Sequence, residues 1–233
     1  LEAAAQGAVC AGFVNTGQDC TAATRIYVQQ PIYQRFLERY LELVAQVRVG
    51  DPAAATTDMG PLVSAAQLAR VEALVATAKG TGTFRAGGER AHPASMEDGF
   101  FFEPTVITDV EDSAPVVTDE IFGPAVVVLP FREEAEAIAR ANAVRYGLAG
   151  SVWTSNVQRA LRVSAALEFG TVWVNDHLPI AAEMPHGGFK QSGFGKDMSL
   201  YALEDYTQIK HVLLETAGLR RKPWHYTIFG DAD

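Results

Sequence analysis

Residues 13–20, FVNTGQDC, are the stretch around which the chain is organised. An alanine-rich run before it predicts a helix over residues 1–14, and a β-prone run after it predicts a strand over residues 23–29. Cys20 therefore lies on a loop between a helix and a strand, where Gly17 permits a tight turn. A loop cysteine can be accessible and polarised, as a nucleophile requires, whereas many free cysteines are buried packing residues. The residues alone leave both interpretations of Cys20 open.

Composition indicates an ordinary globular protein and argues against several classes of partner. The chain has 233 residues, of which 48% are hydrophobic and 20% are charged. Its net charge of -9 argues against binding to nucleic acid or to an anionic membrane, since both favour a basic face. Cys10 and Cys20 do not make a disulfide framework, so we expect a reducing, cytoplasmic compartment. No apolar run in the sequence approaches the ~20 residues of a membrane span.

Strands alternate with helices along the second half of the chain. Predicted strands over residues 126–129, 151–154 and 171–174 are separated by helical patterns over residues 133–143 and 155–167. The first of these strands is continuously apolar, as is typical of a parallel strand that is buried on both faces. This order predicts an α/β domain of three layers, in which helices cover both sides of a largely parallel central sheet.

Four segments resemble the aldehyde dehydrogenase superfamily, in the order in which that family carries them. The pattern F-x-N-x-G-Q-x-C at residues 13–20 is similar to the family's active-site cysteine segment. Residues 120–124 resemble its E-x-F-G-P segment, and residues 185–193 resemble its P-x-G-G-x-K-x-S-G segment. Residues 99–105, with three phenylalanines, resemble a further segment that we interpret as structural. The resemblance extends to about residue 215.

The resemblance implies an enzyme that oxidises an aldehyde with NAD or NADP as cofactor. In the family, a cysteine thiolate attacks the aldehyde to give a thiohemiacetal, hydride leaves to the cofactor, and water hydrolyses the resulting thioester. It implies that Cys20 is the nucleophile and that its backbone N–H helps to hold the oxyanion. It also implies that Glu120 binds hydroxyls of the nicotinamide ribose and that Phe122 abuts the nicotinamide ring. We assign no metal ion to the site.

Three shorter stretches resemble one subfamily, the γ-aminobutyraldehyde dehydrogenases. They are residues 17–23, 183–188 and 195–201. The resemblance implies an amino-aldehyde substrate with a cationic tail, such as 4-aminobutanal. Betaine aldehyde and simple aliphatic aldehydes remain alternative substrates.

Several side chains are candidates for binding such a substrate. Asp19 and Glu183 would add negative charge near the substrate tunnel, and Trp173 would add a cation–π contact. His186 and Ile180 would line the aldehyde channel. Alternatively, these are loop or surface residues without a substrate role, and Trp173 is a core residue.

Some elements of the family are not found in these residues. The sequence has no strand–glycine-rich turn–helix fingerprint of a dinucleotide-binding domain. It also has neither the general-base glutamate of an E-L-G-G segment nor the upstream asparagine of the oxyanion hole. We therefore expect residues 1–204 to be the catalytic domain of a longer enzyme, inactive when isolated. A thiol hydrolase that uses His177 or His186 as its base is an alternative, as is a non-catalytic domain that only assembles.

Residues 205–233 are predicted to be an oligomerisation strand and a tail. The run over residues 206–214 is β-prone, and in the family the matching strand joins the sheet of a neighbouring subunit. We therefore expect a homodimer or a homotetramer. The alternative is a packed edge strand within the chain.

Overall fold

The computed structural model of the chain describes residues 1–94, 96, 98–218 and 221–230. Within them, the helices are α1 (Glu2–Phe13), α2 (Tyr33–Val44), α3 (Ala65–Ala76), α4 (Pro115–Thr118), α5 (Glu134–Asn142), α6 (Val157–Ala166), α7 (Ser199–Asp205) and α8 (Tyr226–Phe229). The strands are β1 (Arg25–Gln29), β2 (Thr83–Ala86), β3 (Thr105–Thr108), β4 (Ala125–Phe131), β5 (Tyr146–Gly147), β6 (Ala149–Val152), β7 (Thr171–Val174) and β8 (Phe189–Lys190).

The main sheet has four strands in the order β1-β4-β3-β2. Strand β4 lies inside the sheet and pairs in parallel with both β1 and β3. Strand β2 pairs with β3 in the antiparallel direction and closes one edge. Because β4 has a neighbour on each side and helices above and below, its first five residues are buried, as its continuous apolar run predicted.

Helices cover both faces of this sheet. Val126 and Val128 of β4 pack in one hydrophobic cluster with residues of α1 and α2. Val127 and Leu129, which point the other way because side chains alternate along a strand, pack in a second cluster with residues of α3 and α4. The predicted three-layer α/β domain with a largely parallel sheet is therefore confirmed.

Two small sheets extend the structure beyond the main one. Strands β6 and β7 pair in parallel, and β5 pairs with β8 in the antiparallel direction. They position the loop over residues 175–188, which follows β7.

Element boundaries differ from the sequence-based ones by a few residues. Helix α1 ends at Phe13 because the backbone turns into a short 3₁₀ segment, Val14–Gly17. Helix α3 begins after Ser64, whose hydroxyl accepts a hydrogen bond from the backbone N–H of Gln67 at 3.2 Å, as expected of an N-cap. The strand predicted over residues 151–154 lies at 149–152, since its pairing with β7 begins at Ala149.

The strand predicted over residues 206–214 is not formed within the chain. Helix α7 ends at Asp205, and residues 208–216 adopt neither helix nor strand. The segment's large apolar side chains are exposed, and that of Leu213 is 86% exposed. A strand needs a hydrogen-bonded neighbour, and the part of the chain that the structure describes pairs none with this segment. The packed edge strand of the alternative prediction is therefore not observed, and part of the predicted tail, residues 219–220 and 231–233, lies outside the described residues.

Candidate active site

The loop that carries Cys20 begins with a strained backbone. Asn15, Thr16 and Gly17 all have positive φ angles, of 51°, 61° and 66°. A β-branched residue such as Thr16 rarely adopts this left-handed conformation, so its surroundings must hold it there. The Thr16 hydroxyl donates a hydrogen bond to the carbonyl of Gly60 at 3.1 Å, and Thr16 is buried.

Side chains of the loop satisfy its own backbone. Asn15 Nδ2 donates to the carbonyl of Gln18 at 2.8 Å, and Gln18 Nε2 donates back to the carbonyl of Asn15 at 3.3 Å. Gln18 Oε1 accepts from the backbone N–H of Val63 at 2.9 Å, which fastens the loop to the segment before α3. These polar residues therefore replace the hydrogen bonds that a helix or a sheet would supply.

A contact between two glycines joins the cysteine loop to the segment that carries Glu120. A Cβ atom added at Gly17 would lie 2.6 Å from the carbonyl carbon of Gly123 and would overlap its oxygen. Gln67 of α3 supports the second segment by donating to the carbonyls of Ile121 and Phe122 at 3.2 and 2.8 Å. Only a residue without a side chain allows the two loops to approach this closely.

A cavity of about 320 Å³ opens beside this contact. Four of the residues that the sequence selected, Cys20, Asp19, Glu120 and Phe122, line it together. Arg25 of β1 also lines it, although no sequence pattern selected this residue. Two segments that lie far apart in the sequence thus contribute to one site.

The surroundings of Cys20 oppose ionisation of its thiol. The side chain is exposed at the cavity, but partial burial raises its pKa above the ordinary value. The carboxylates of Asp19 and Glu120 raise this pKa further, while hydrogen bonds from the backbone N–H groups of Cys20 and Thr21 lower it. Those N–H groups lie where they would stabilise negative charge near the sulfur, but the net effect favours the neutral thiol.

The other predicted substrate residues do not line this cavity. Ile180 lies on the loop after β7 and is half exposed. His186 pairs through its backbone with Asp197, and its Nδ1 lies 3.1 Å from the hydroxyl of Thr171. Glu183 is exposed on the same loop. Their substrate roles stay predictions, since the structure gives each a loop position and no contact with the cysteine loop.

His177 contacts the backbone of Thr21, the residue after Cys20, and not the sulfur of Cys20. Its Nε2 lies 2.7 Å from the carbonyl oxygen of Thr21, and its Nδ1 lies 3.0 Å from the hydroxyl of Ser151. Its ring packs against that of Trp173, with the centroids 4.6 Å apart. Both ring nitrogens therefore have hydrogen-bond partners other than the sulfur, so this geometry does not favour His177 as the base of the thiol hydrolase alternative.

The indole of Trp173 is also engaged within its own loop. Its Nε1 donates to the carbonyl of Pro179 at 2.7 Å. The residue is half-buried against His177, so these contacts fit a packing role.

Known proteins resemble this chain over most of its length. The sequence model described as "Aldehyde dehydrogenase family" matches residues 1–212. The chain belongs to the aldehyde dehydrogenase family. The betaine aldehyde dehydrogenases of Brucella melitensis and Brucella abortus are each 42% identical to it over 216 residues, which are 92% of this chain and 44% of the relative. The chain thus spans less than half the length of these relatives.

Solved structures of aldehyde dehydrogenases have the same fold. The betaine aldehyde dehydrogenase of Staphylococcus aureus in complex with NAD+ is 38% identical, with a TM-score of 0.88 over 95% of this chain and 45% of that one. A mutant aldehyde dehydrogenase of Bacillus cereus is 43% identical, with a TM-score of 0.86 over 90% of this chain and 42% of that one. Three of these four proteins are named for betaine aldehyde, and none of the four is named for γ-aminobutyraldehyde. Their similarity therefore shows the family and not the predicted subfamily.

Among the described residues, no three or more His, Cys, Asp or Glu side chains are grouped so that they could hold a metal ion. No helix in the described ranges is both long and apolar enough to cross a membrane.

Proposed function

We propose that this chain is the catalytic portion of an enzyme that oxidises an aldehyde to a carboxylic acid with NAD or NADP, and that Cys20 is its nucleophile. The observation that carries the proposal is the shared cavity, onto which Cys20 opens beside Glu120 and Phe122. A reactive cysteine must be accessible, and a packing cysteine would instead lie among the buried side chains of the two core clusters.

The residues present fit a nicotinamide nucleoside. Glu120 is exposed at the cavity and can accept hydrogen bonds from two ribose hydroxyls. Phe122 is half-buried beside it and offers a flat apolar surface to a planar ring. When bound there, the nicotinamide would accept a hydride from the substrate carbon. Whether NAD or NADP is used depends on groups outside these two contacts.

In the proposed reaction, the thiolate of Cys20 forms a bond to the aldehyde carbon, and the carbonyl π electrons move to oxygen. The backbone N–H of Cys20 donates a hydrogen bond to that oxyanion. Collapse of the oxyanion expels hydride from the same carbon and leaves a thioester on the sulfur. Water then adds to the thioester carbon, and the carboxylic acid leaves as the thiol of Cys20 is restored.

The residues that line the cavity do not by themselves deprotonate the thiol of Cys20. Burial, Asp19 and Glu120 all raise the pKa of Cys20, so the neutral thiol predominates near neutral pH. A separate general base would have to remove its proton and to activate the hydrolytic water, and each such step contributes on the order of 10²–10⁴ in rate. We therefore infer that the 233-residue chain alone is inactive as a dehydrogenase.

The test compares the isolated chain with the complete polypeptide to which it belongs, by following formation of reduced cofactor. We expect turnover only in the complete polypeptide, and its loss on the order of 10⁴-fold or more in Cys20→Ala. Cys10→Ala is the matched control because Cys10 is an exposed cysteine on α1 that does not line the cavity. NAD-dependent turnover by the isolated chain would contradict the inactivity prediction, and an active Cys20→Ala variant would contradict the nucleophile assignment.

We infer that the substrate is an aldehyde with a cationic tail. Asp19 places a carboxylate on the cavity beside Cys20, which would favour an ammonium group over a neutral alkyl chain. The stretches that resemble γ-aminobutyraldehyde dehydrogenases favour a primary amine, whereas the names of the Brucella relatives favour the trimethylammonium group of betaine aldehyde. The measurement is kcat/KM for 4-aminobutanal, betaine aldehyde and butanal with the complete polypeptide. Equal values for the charged aldehydes and butanal would refute the inference.

We also infer that the segment over residues 206–214 pairs with a second copy of the chain. Its β-prone residues are exposed, and they pair with no strand among the described residues, as would be expected of a strand whose partner is another subunit. The expected assembly is a homodimer or a homotetramer, to be measured by sedimentation of the complete polypeptide.

A further inference from the structure

We propose that His177 is a positioning residue for Cys20, which it holds in place through the backbone carbonyl of Thr21. The proposal deepens the function proposed above and rests on it for the importance of Cys20. The contact itself is a feature of the fold: His177 Nε2 lies 2.7 Å from the carbonyl oxygen of Thr21. The two residues are separated by 156 positions in the sequence.

Thr21 is held from two sides. On the local side, Asp19 Oδ1 accepts hydrogen bonds from the backbone N–H and the hydroxyl of Thr21 at 2.7 and 2.6 Å. On the distant side, His177 binds its carbonyl, and Thr21 is buried between them. Because peptide groups are planar, fixing both backbone polar groups of Thr21 restricts its φ and ψ and the plane of the peptide group that joins it to Cys20. The Cα atom of Cys20 lies in that plane and is thereby positioned as well.

The hydrogen-bond partners define the tautomer of His177. A carbonyl oxygen only accepts hydrogen bonds, so Nε2 must carry the proton that is donated to Thr21. In the neutral ring, Nδ1 is then an acceptor and receives the hydroxyl proton of Ser151 at 3.0 Å. Ser151 Oγ in turn accepts a hydrogen bond from Trp153 Nε1 at 3.3 Å. Each group therefore donates to the next along the series Trp153, Ser151, His177 and Thr21.

The environment of the ring favours this neutral form. Burial lowers the pKa of His177, and this outweighs the opposing effects of the Thr21 carbonyl and of the carboxylates of Asp19 and Asp176. The Trp173 ring packs against the imidazole in a tilted arrangement, with the ring centroids 4.6 Å apart and the planes at 44°. His177 is thus fixed by β6, by β7 and by its own loop, all of which are independent of the cysteine loop that it holds.

The first test measures amide hydrogen exchange in residues 18–23 of the full chain. Removal of a partner from a buried carbonyl loosens the backbone, so we expect exchange there to rise by about 5–100-fold in His177→Leu. His177→Gln keeps an N–H donor near the position of Nε2 and is expected to restore much of the protection. His92→Leu makes the same chemical change in a loop that does not contact the cysteine loop, and it is expected to leave residues 18–23 unchanged.

Two outcomes of this test would overturn the proposal. One is exchange in His177→Leu that stays within about twofold of the parent chain. The other is a loss of protection that is equal in His177→Leu and His177→Gln, since this would indicate a packing effect without the hydrogen bond. Urea unfolding of each variant separates a local loss of protection from a global loss of stability.

A second measurement needs no variant and stands even if His177→Leu fails to fold. The ring nitrogen chemical shifts of His177 at neutral pH are expected to show a protonated Nε2 and an unprotonated Nδ1. The opposite tautomer would overturn the proposal, because an unprotonated Nε2 cannot donate to Thr21.

Kinetics of the complete polypeptide connect the contact to catalysis. A displaced nucleophile lowers the rate of the chemical step more than substrate binding, so we expect kcat to fall by about 10²-fold in His177→Leu with a much smaller change in KM, and to recover in His177→Gln. An unchanged kcat would overturn the positioning role. If the exchange and tautomer results hold while no aldehyde is oxidised by any form, the proposed function fails and the contact with Thr21 stands.

Discussion

Replacement of Gly17 by alanine tests the contact on which the candidate site is built. Gly17 has φ of +66°, and an added Cβ would lie 2.6 Å from the carbonyl carbon of Gly123. The left-handed conformation costs an alanine about 1–2 kcal/mol, and forcing an extra methyl group into a packed contact costs about 1–3 kcal/mol. We therefore expect Gly17→Ala to lower the free energy of unfolding by about 2–5 kcal/mol, a large part of the about 5–15 kcal/mol typical of a native protein.

The matched control is Gly80→Ala. Gly80 also has a positive φ, of +83°, but an added Cβ there would meet no atom within 4 Å. This variant should therefore show only the conformational cost of about 1–2 kcal/mol. The difference between the two variants isolates the contact between Gly17 and Gly123.

Urea unfolding is the assay, with stability compared through the midpoint at a common slope. Hydrogen exchange of residues 13–20 is measured alongside and should rise in Gly17→Ala but not in Gly80→Ala. If Gly17→Ala costs no more than Gly80→Ala, the close approach of the two loops does not exist as described, and the shared cavity loses its structural basis.

Three further predictions concern ionisation and assembly. The rate of alkylation of Cys20 in the isolated chain, plotted against pH, should have its midpoint above the ordinary pKa of a cysteine, about 8.5, and Glu120→Gln should lower this midpoint. An unchanged midpoint in Glu120→Gln would mean that Glu120 does not act on the thiol. Arg48 lowers the pKa of Asp58 from 3.8 to about 2, so this pair should stabilise the fold above pH 3.8 and lose its effect as the pH falls through about 2. If the free energy of unfolding of the parent chain and of Asp58→Asn changes equally with pH over this range, the prediction is wrong. Leu213→Asp places a charge in the exposed segment after α7 and should shift the complete polypeptide towards monomers in sedimentation, whereas an unchanged assembly would exclude this segment from the interface.

Local patterns were sufficient to predict most elements and part of the site. The apolar run of β4 predicted a strand buried on both faces, and Ser64 predicted the start of α3. The motifs around Cys20 and Glu120 predicted residues that line one cavity, although their catalytic roles stay predictions. These successes have one cause, since each depends on residue types and spacings within a single short segment.

Other features lay beyond such patterns. Residues 206–214 have a β-prone composition, but they form no strand because strand formation also requires a hydrogen-bonded neighbour. The structure pairs the backbone of His186 with Asp197 and places His186 outside the cavity beside Cys20, and its predicted role along the aldehyde channel stays a prediction. The composition of a segment limits the structures that it can form, and its contacts in the folded chain determine which of them it forms.

Periodicity and local motifs are properties of neighbouring residues, so the amino-acid sequence is sufficient to predict the three-layer α/β class, the positions of most helices and strands, and the family motifs. Three features follow from the folded chain alone: Gly17 lies against Gly123, His177 binds the carbonyl of Thr21, and Cys20 is surrounded by groups that raise its pKa. Each of these contacts depends on the order of strands in a sheet and on where loops from distant segments meet. Burial and charge then act through distances in space, which no spacing along the chain specifies.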